Sequence, residues 1–284
     1  ETTNNKVRGR KDIEDNLTAP FVGEIPLVEE ERKGLSALKP AQEKAYGIVV
    51  EHGNHNLINE AFRIVRTNIE FLTPQGNGAS VQMLTSYNSG SGKTFLAMNI
   101  ATSLAIKDKR VLVIDGDLRT AGLSRYIGNP KLGLSNYLGR HTDDIDSIIC
   151  HYETCTGLDI MPSGVVPPNP AELLASDRLP RLLAEMKKRY DYIFVDCPPI
   201  DAVADTSIIS HYAERTLFVV RAGKLERAML ADLEKLYKSG RLNNLSVILN
   251  GTRNAGTPYA YRYGYSYGYG TNPKSNSLID YFRR

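Results

Sequence analysis

Six short apolar runs, at residues 81–86, 111–115, 158–161, 192–196, 216–221 and 247–250, limit what this chain can fold into more than any other feature. Each is nearly continuous in Val, Ile, Leu and Phe, where a strand with one wet face would alternate apolar and polar residues. The segments between them are long enough to hold a crossover helix. Together these features predict parallel strands buried on both faces, with helices packed on either side.

The first run leads directly into Tyr87-Asn88-Ser89-Gly90-Ser91-Gly92-Lys93-Thr94 and then into an apolar helix from Phe95 to about Ile106. Small residues let successive backbone N–H groups curl round phosphate oxygens, a lysine offsets their charge, and a hydroxyl can ligate Mg²⁺. Ser89, Gly90, Ser91, Gly92, Lys93 and Thr94 meet those needs, although the strict phosphate-loop spacing wants glycine where Tyr87 stands. Nucleotide binding by a P-loop NTPase-like, three-layer α/β/α domain with a mostly parallel central sheet is the expectation.

Two further strand ends carry acid. Run 111–115 closes in Asp115-Gly116-Asp117-Leu118-Arg119, and run 192–196 closes in Asp196-Cys197-Pro198-Pro199. Carboxylates at the carboxyl ends of buried strands sit where ligands bind in open α/β sheets. Taken singly, each aspartate could equally be a helix cap or a turn residue. Joined to Lys93 and Thr94, the three describe one phosphate and magnesium site.

Composition divides the chain. Among 284 residues, dense patterning runs from about Asn56 to Thr252. The expected division is a lead-in over 1–45, interrupted by Pro20, Pro26 and Pro40 and contributing no core, a domain over 46–255, and a tail over 256–284. The net charge of +3 is unevenly placed: from Arg253 onward five basic residues face one acidic residue, so the globular part is close to neutral. In the tail Tyr259, Tyr261, Tyr263, Tyr265, Tyr267 and Tyr269 fall at every second position among glycines, with Tyr281 beyond. A low-complexity tract of this kind is expected to form no packed structure. Only Arg262 interrupts the tyrosine run, too little charge for a single-strand nucleic-acid binder, so no nucleic-acid partner is expected. No apolar run approaches the ~18 residues needed to span a bilayer, and the polar start offers no signal-like segment. A cytosolic chain, or a cytosolic piece of something larger, is expected. Cys150, His151 and Cys155 lack the second ligand pair that zinc spacing needs.

The Gly92-Lys93-Thr94 loop, the Asp115–Arg119 motif, the Asp196-Cys197-Pro198-Pro199 strand end and the terminal tyrosines, in this order, resemble the bacterial tyrosine kinases that regulate capsule and exopolysaccharide assembly. Partition and division-site ATPases share the fold but carry a second lysine early in the loop, where this chain has Asn88, and they have no tyrosine tail. The resemblance implies ATP and Mg²⁺ as cofactors and phosphorylation of Tyr259, Tyr261, Tyr263, Tyr265, Tyr267, Tyr269 and Tyr281 by a neighbouring copy. Lys93 would clamp phosphates, Thr94 and Asp117 would hold Mg²⁺ with Asp196 ordering its water shell, and Asp115 would accept the tyrosine proton. By analogy with related nucleotide folds, Asn250 would touch adenine, or else be a turn amide before Gly251.

Glu60, Arg63 and Arg66 form a stripe on a helix whose apolar residues Leu57, Ile58, Ala61, Phe62, Val65 and Ile69 lie on one face. They look like the family's ExxRxxR element, which joins kinase domains into a homo-oligomeric ring. A solvated face with a weak ion pair is the plainer account. Family partners would be a membrane-spanning polysaccharide co-polymerase region and a cognate tyrosine phosphatase, placing the chain at the cytoplasmic face of the bacterial inner membrane. A partition-type ATPase and a nucleotide-gated assembly scaffold are the alternatives.

Overall fold

The computed structural model describes residues 5–28, 47–73, 79–202 and 204–253. In chain order the elements are α1 (Arg10–Glu14), β1 (Phe21–Pro26), α2 (Leu57–Leu72), β2 (Ser80–Thr85), α3 (Lys93–Ala105), β3 (Val111–Asp115), α4 (Leu134–Leu138), β4 (Cys150–His151), β5 (Leu158–Met161), α5 (Pro170–Leu174), α6 (Arg178–Arg189), β6 (Tyr192–Asp196), α7 (Asp205–Ser210), β7 (Arg215–Arg221), α8 (Met229–Lys238) and β8 (Ser246–Thr252). The eight strands form one sheet in the order β1-β8-β7-β2-β6-β3-β5-β4. Every pairing is parallel except that of the two-residue edge strand β4 with β5.

Side-chain alternation along the strands feeds two cores. Val111 and Val113 of β3 join Phe62, Val65 and Ile69 of α2 and Leu96, Ile100 and Leu104 of α3 on one face. Leu112 and Ile114 join Leu182 and Met186 of α6 and Leu230 and Leu233 of α8 on the other. Both sets are shielded from water, which accounts for the continuous apolar runs. Helix α3 is buried without interruption from Leu96 to Ala105, because α2 covers the side that the sheet does not. Its amphipathic neighbour α2 starts at an Asn56 cap whose side chain accepts the Asn59 N–H at 3.0 Å.

For residues 5–28 the structure corrects the reading of the first 45 or so residues as a lead-in without core. Strand β1 extends the sheet beside β8, and Val7, Ile13, Val22 and Ile25 are buried in the two cores. Prolines bracket this strand, and an edge strand tolerates them because its outer side needs no donors. Gly23 admits the helix above it: a Cβ there would lie 2.8 Å from Val65 Cγ2. Residues 5–7 are also tied down, by a bridge between Lys6 and Glu226 and by hydrogen bonds from Val7 N–H to Leu225 O (2.9 Å) and from Gly223 N–H to Val7 O (2.7 Å).

Candidate active site

The loop between β2 and α3 gets its shape from two left-handed glycines, Gly90 (φ +67°) and Gly92 (φ +89°). Gly92 is the residue before the first turn of α3, which leaves the helix's early N–H groups directed at the loop's hollow. The hydroxyls of Ser86 and Ser91 both donate to Asn88 O, at 2.8 and 2.7 Å, and tie the loop across itself. Tyr87, which breaks the strict glycine spacing, needs no positive φ. Its ring packs edge-on against Phe218 at 5.0 Å, and burial pushes its hydroxyl up to about 12, so its side chain belongs to the core and leaves the phosphate hollow clear.

Parallel register brings the two strand-end acids together: Asp115 of β3 and Asp196 of β6 are direct neighbours across the pair. Thr94 Oγ1 donates to Asp196 Oδ2 at 2.5 Å, and Ser124 donates to Asp115 Oδ2 through both N–H (3.2 Å) and Oγ (3.1 Å). The remaining oxygens, Asp115 Oδ1 and Asp196 Oδ1, are buried without a partner. Burial, reinforced by the charge of Asp196, pushes Asp115 up to about 8. Burial also raises Asp196, to about 6, against the opposing pull of the Thr94 hydrogen bond and Lys93. Two orphaned buried carboxylate oxygens beside a threonine hydroxyl suit a hard divalent cation, which would relieve both desolvation costs. Mg²⁺ takes few protein ligands and completes its shell with phosphate oxygens and water. Among the described residues no group of three or more His, Cys, Asp or Glu forms a closed protein cage for a metal.

Asp117 sits differently. Its carboxylate accepts the N–H groups of Arg119 (3.2 Å) and Thr120 (3.1 Å) and the Thr120 hydroxyl (2.6 Å), and it lines an open cleft of about 530 Å³ with Lys93, Thr94, Arg119, Tyr126 and Asp196. Asp115, wholly buried, does not line it. Lys93 Nζ lies 3.4 Å from Ser86 Oγ. A second cavity of similar size, about 630 Å³, beside Leu72, Arg215 and Lys238, lies at the opposite end of the strands and contains none of the motif residues. Chemistry, not size, assigns the site.

Asn250 departs from its expected adenine contact. It is buried beneath the loop, where its Nδ2 donates to Ser91 O at 2.8 Å, and a Cβ on Gly92 would come within 2.2 Å of that nitrogen. Its amide holds the loop, and Gly92 is what lets it approach. Arg66 departs as well. It is buried, with Nη1 donating to Ser103 O at 2.9 Å, because it stands beside Phe62, Val65 and Ile69 on the side facing α3. Only Glu60 and Arg63 of the expected stripe reach the surface, paired with each other. The tail tyrosines lie outside the described residues.

Sequence reasoning missed Ser124, which fixes Asp115, and Lys224, whose Nζ donates to Ser89 O. Neither carries a motif signal; both are set by where loops return over the strand ends.

Comparison with known proteins agrees with this geometry. Residues 81–225 match the AAA domain family. The chain is 33% identical over 254 residues to the putative tyrosine-protein kinase EpsB of Ralstonia solanacearum, covering 89% of this chain and 33% of that protein. It is 36% identical over 200 residues to the tyrosine-protein kinase YwqD of Bacillus subtilis, covering 70% of this chain and 83% of the relative. The kinase domain of the Escherichia coli tyrosine kinase ETK superposes with a TM-score of 0.72 at 29% identity, covering 93% of this chain and all of that one. The fold and site define a nucleotide-binding α/β domain of the AAA type. Within that class the chain belongs to the bacterial tyrosine-protein kinase family. It spans about a third of the length of relatives such as EpsB.

Proposed function

We propose that this chain is an ATP-dependent protein-tyrosine autokinase. The observation that carries the reading is the in-register pair Asp115 and Asp196, with orphaned oxygens, beside Thr94 at the mouth of a glycine-shaped phosphate loop. Bound Mg-ATP supplies the γ-phosphoryl group. Lys93 and the loop N–H groups would hold the phosphates, and Thr94, Asp196 and Asp115 would hold the cation. In this reading the roles expected of the two acids in the Asp115–Arg119 motif are exchanged, which the burial of Asp115 supports. Asp117, on the cleft wall, is the carboxylate that an incoming tyrosine hydroxyl can reach and the group that accepts its proton.

The acceptors in this reading are Tyr259 to Tyr269 and Tyr281 of a neighbouring copy. Helix α2 offers a surface for that neighbour: Leu57, Ile64 and Phe71, seven apart and therefore on one face, are all exposed. Modification of the tail would regulate exopolysaccharide or capsule polymerisation and export. A membrane-spanning co-polymerase region would tether the chain at the cytoplasmic face of the inner membrane, and a cognate phosphatase would reset it. The greater length of relatives such as EpsB and ETK supports a tether. Among the described residues no helix is long and apolar enough to cross a bilayer.

Intact mass after incubation with Mg-ATP tests the activity. Mass steps of one phosphate, confined to the tail peptide, are expected, whereas free phosphate without a mass change would make the chain an ATPase. Lys93→Met should abolish the steps with the circular dichroism spectrum unchanged, and normal labelling by that variant refutes the site. For the ring, Arg63→Ala is the milder variant: Arg63 meets Glu60, His55 and Asn54 O near the surface, whereas Arg66→Ala would strip the Ser103 carbonyl of a donor in the buried seam with α3. A shift to monomer by light scattering is expected, and an unchanged size distribution returns Arg63 to a solvated ion pair.

A further inference from the structure

One bidentate pair at the cleft is left without a role. Arg119 Nε donates to Asp205 Oδ2 at 2.9 Å and Nη2 to Asp205 Oδ1 at 3.3 Å. Asp205, in the first turn of α7, is fully buried, while Arg119 is 43% exposed on the cleft wall beside Lys93, Thr94, Asp117 and Asp196. Among the described residues Nη1 has no partner, so the guanidinium keeps one edge free. Its backbone is fixed by the Arg119 N–H bond to Asp117 Oδ1, at 3.2 Å. The carrier of Asp205 is fixed too: Thr206 Oγ1 donates to Pro198 O at 2.9 Å, and Ile209 packs into the core with Val195. The pair thus locks the segment after β3 to the segment after β6.

As a stabilising device this arrangement is poor. An ion pair with a wetted partner contributes little net stability, and burying a carboxylate can cost more than its attraction to that partner returns. As a positioning device it suits the reaction. Phosphoryl transfer concentrates its demand on charge at the three equatorial oxygens of the moving group, and a planar guanidinium with a free edge answers that geometry better than an ammonium. Lys93 rises from the loop on one side of the cleft, and Arg119 stands on the β3 wall with Asp117.

We propose that Arg119 is the cation that meets the transferring phosphoryl group, and that Asp205 is the positioning residue that holds its fork. The inference rests on the kinase reading above. In the step, the bond between the γ-phosphorus and the β–γ bridging oxygen breaks with its electron pair leaving on ADP. A bond from phosphorus to the tyrosine oxygen forms, and the hydroxyl proton passes to Asp117. Arg119 forms no bond and gives up no proton; it offsets charge that is greatest midway.

Equilibrium titration of the full chain with a fluorescent ADP and Mg²⁺, with and without aluminium fluoride as a planar phosphoryl mimic, tests this without turnover. Wild type should tighten with fluoride by at least about tenfold, since such mimics draw on transition-state contacts. Arg119→Gln and Arg119→Lys should bind Mg-ADP within about threefold of wild type yet lose that tightening. Asp205→Asn should lose part of it, and adding Asp205→Asn to Arg119→Gln should lose no more, as for residues acting as one unit. If Asp205→Asn fails to fold, the exposed Arg119 variants carry the test. Tightening by folded Arg119→Gln equal to wild type, or none by wild type, overturns the assignment of Arg119. Wild type that binds no Mg-ADP overturns the kinase reading itself.

Discussion

On one side of the phosphate loop, the ends of β3 and β6 present carboxylates with unused oxygens, Asp115 Oδ1 and Asp196 Oδ1. On the other side, β8 and the loop after β7 present nitrogens already spent on loop carbonyls, Asn250 on Ser91 and Lys224 on Ser89. The acidic side is unstable as it stands and calls for a cation. The nitrogen side is satisfied and acts as a mould. Beside a phosphate loop, unsatisfied buried carboxylate oxygens suit a cation, and the satisfied nitrogens opposite them shape its seat.

The largest effect should come from the mould. Gly92→Ala puts a Cβ at φ +89° and 2.2 Å from Asn250 Nδ2, combining about 1–3 kcal/mol of backbone strain with displacement of the amide that holds Ser91. A loss of nucleotide affinity on the order of 100-fold is expected from strain of that size plus the clash, with the core still folded. Adding Asn250→Ala removes the clash and should restore part of the affinity. If the double variant binds no better than Gly92→Ala, the amide is not what the glycine accommodates.

Next is the acidic side, examined by pH. Asp115 is raised from 3.8 to about 8 in the fold, so the folded state holds its proton where the unfolded chain has released it. Its contribution to stability is full below about pH 4 and is lost as pH rises through 8. Asp115→Asn keeps the shape and removes this titration. Without nucleotide or Mg²⁺, urea unfolding should find the variant more stable than wild type at pH 8, by on the order of 1–3 kcal/mol for an unsatisfied buried charge, and the gap should shrink at pH 5. A difference that is the same at both pH values would mean that Asp115 does not titrate with folding.

Much of the acidic side was legible in the sequence, because strand-end aspartates follow apolar runs and the loop carries its glycines and lysine in order. Six strands were legible for the same reason. Strand β1 was not: six residues containing a glycine and a proline, at an edge, give little periodic signal, and its burial comes from Val65 of α2 and from β8. Arg66 was misplaced because its three-residue spacing from Glu60 and Arg63 put it on their polar stripe, whereas its guanidinium reaches a carbonyl on α3. Asn250 was given a ligand because it ends a strand near the site, and only the fold shows its amide turned under Ser91. The exchange of roles proposed for Asp115 and Asp117 has the same origin, since two residues along a strand end is the distance from buried Asp115 to Asp117 on the cleft rim, and spacing does not say which is which.

The smallest effect tests the outer edge of the mould. Lys224 is exposed and reaches Ser89 O from a loop pinned by Asn5 and Val7, through Arg227 N–H to Asn5 O at 2.8 Å and Gly223 N–H to Val7 O at 2.7 Å. An exposed ammonium exchanges this bond with water, so its net contribution is about 0.5–1.5 kcal/mol at most. Lys224→Ala should therefore weaken Mg-ADP binding by no more than about tenfold, the equivalent of that energy, and leave urea unfolding within about 0.5 kcal/mol of wild type. The backbone ties of residues 5–7 hold the loop in place without the lysine, so the mould keeps its outline. A loss well beyond tenfold would mean that Lys224 leaves Ser89 when nucleotide arrives and meets phosphate directly, which would move it from the satisfied side of the comparison to the side that answers the ligand.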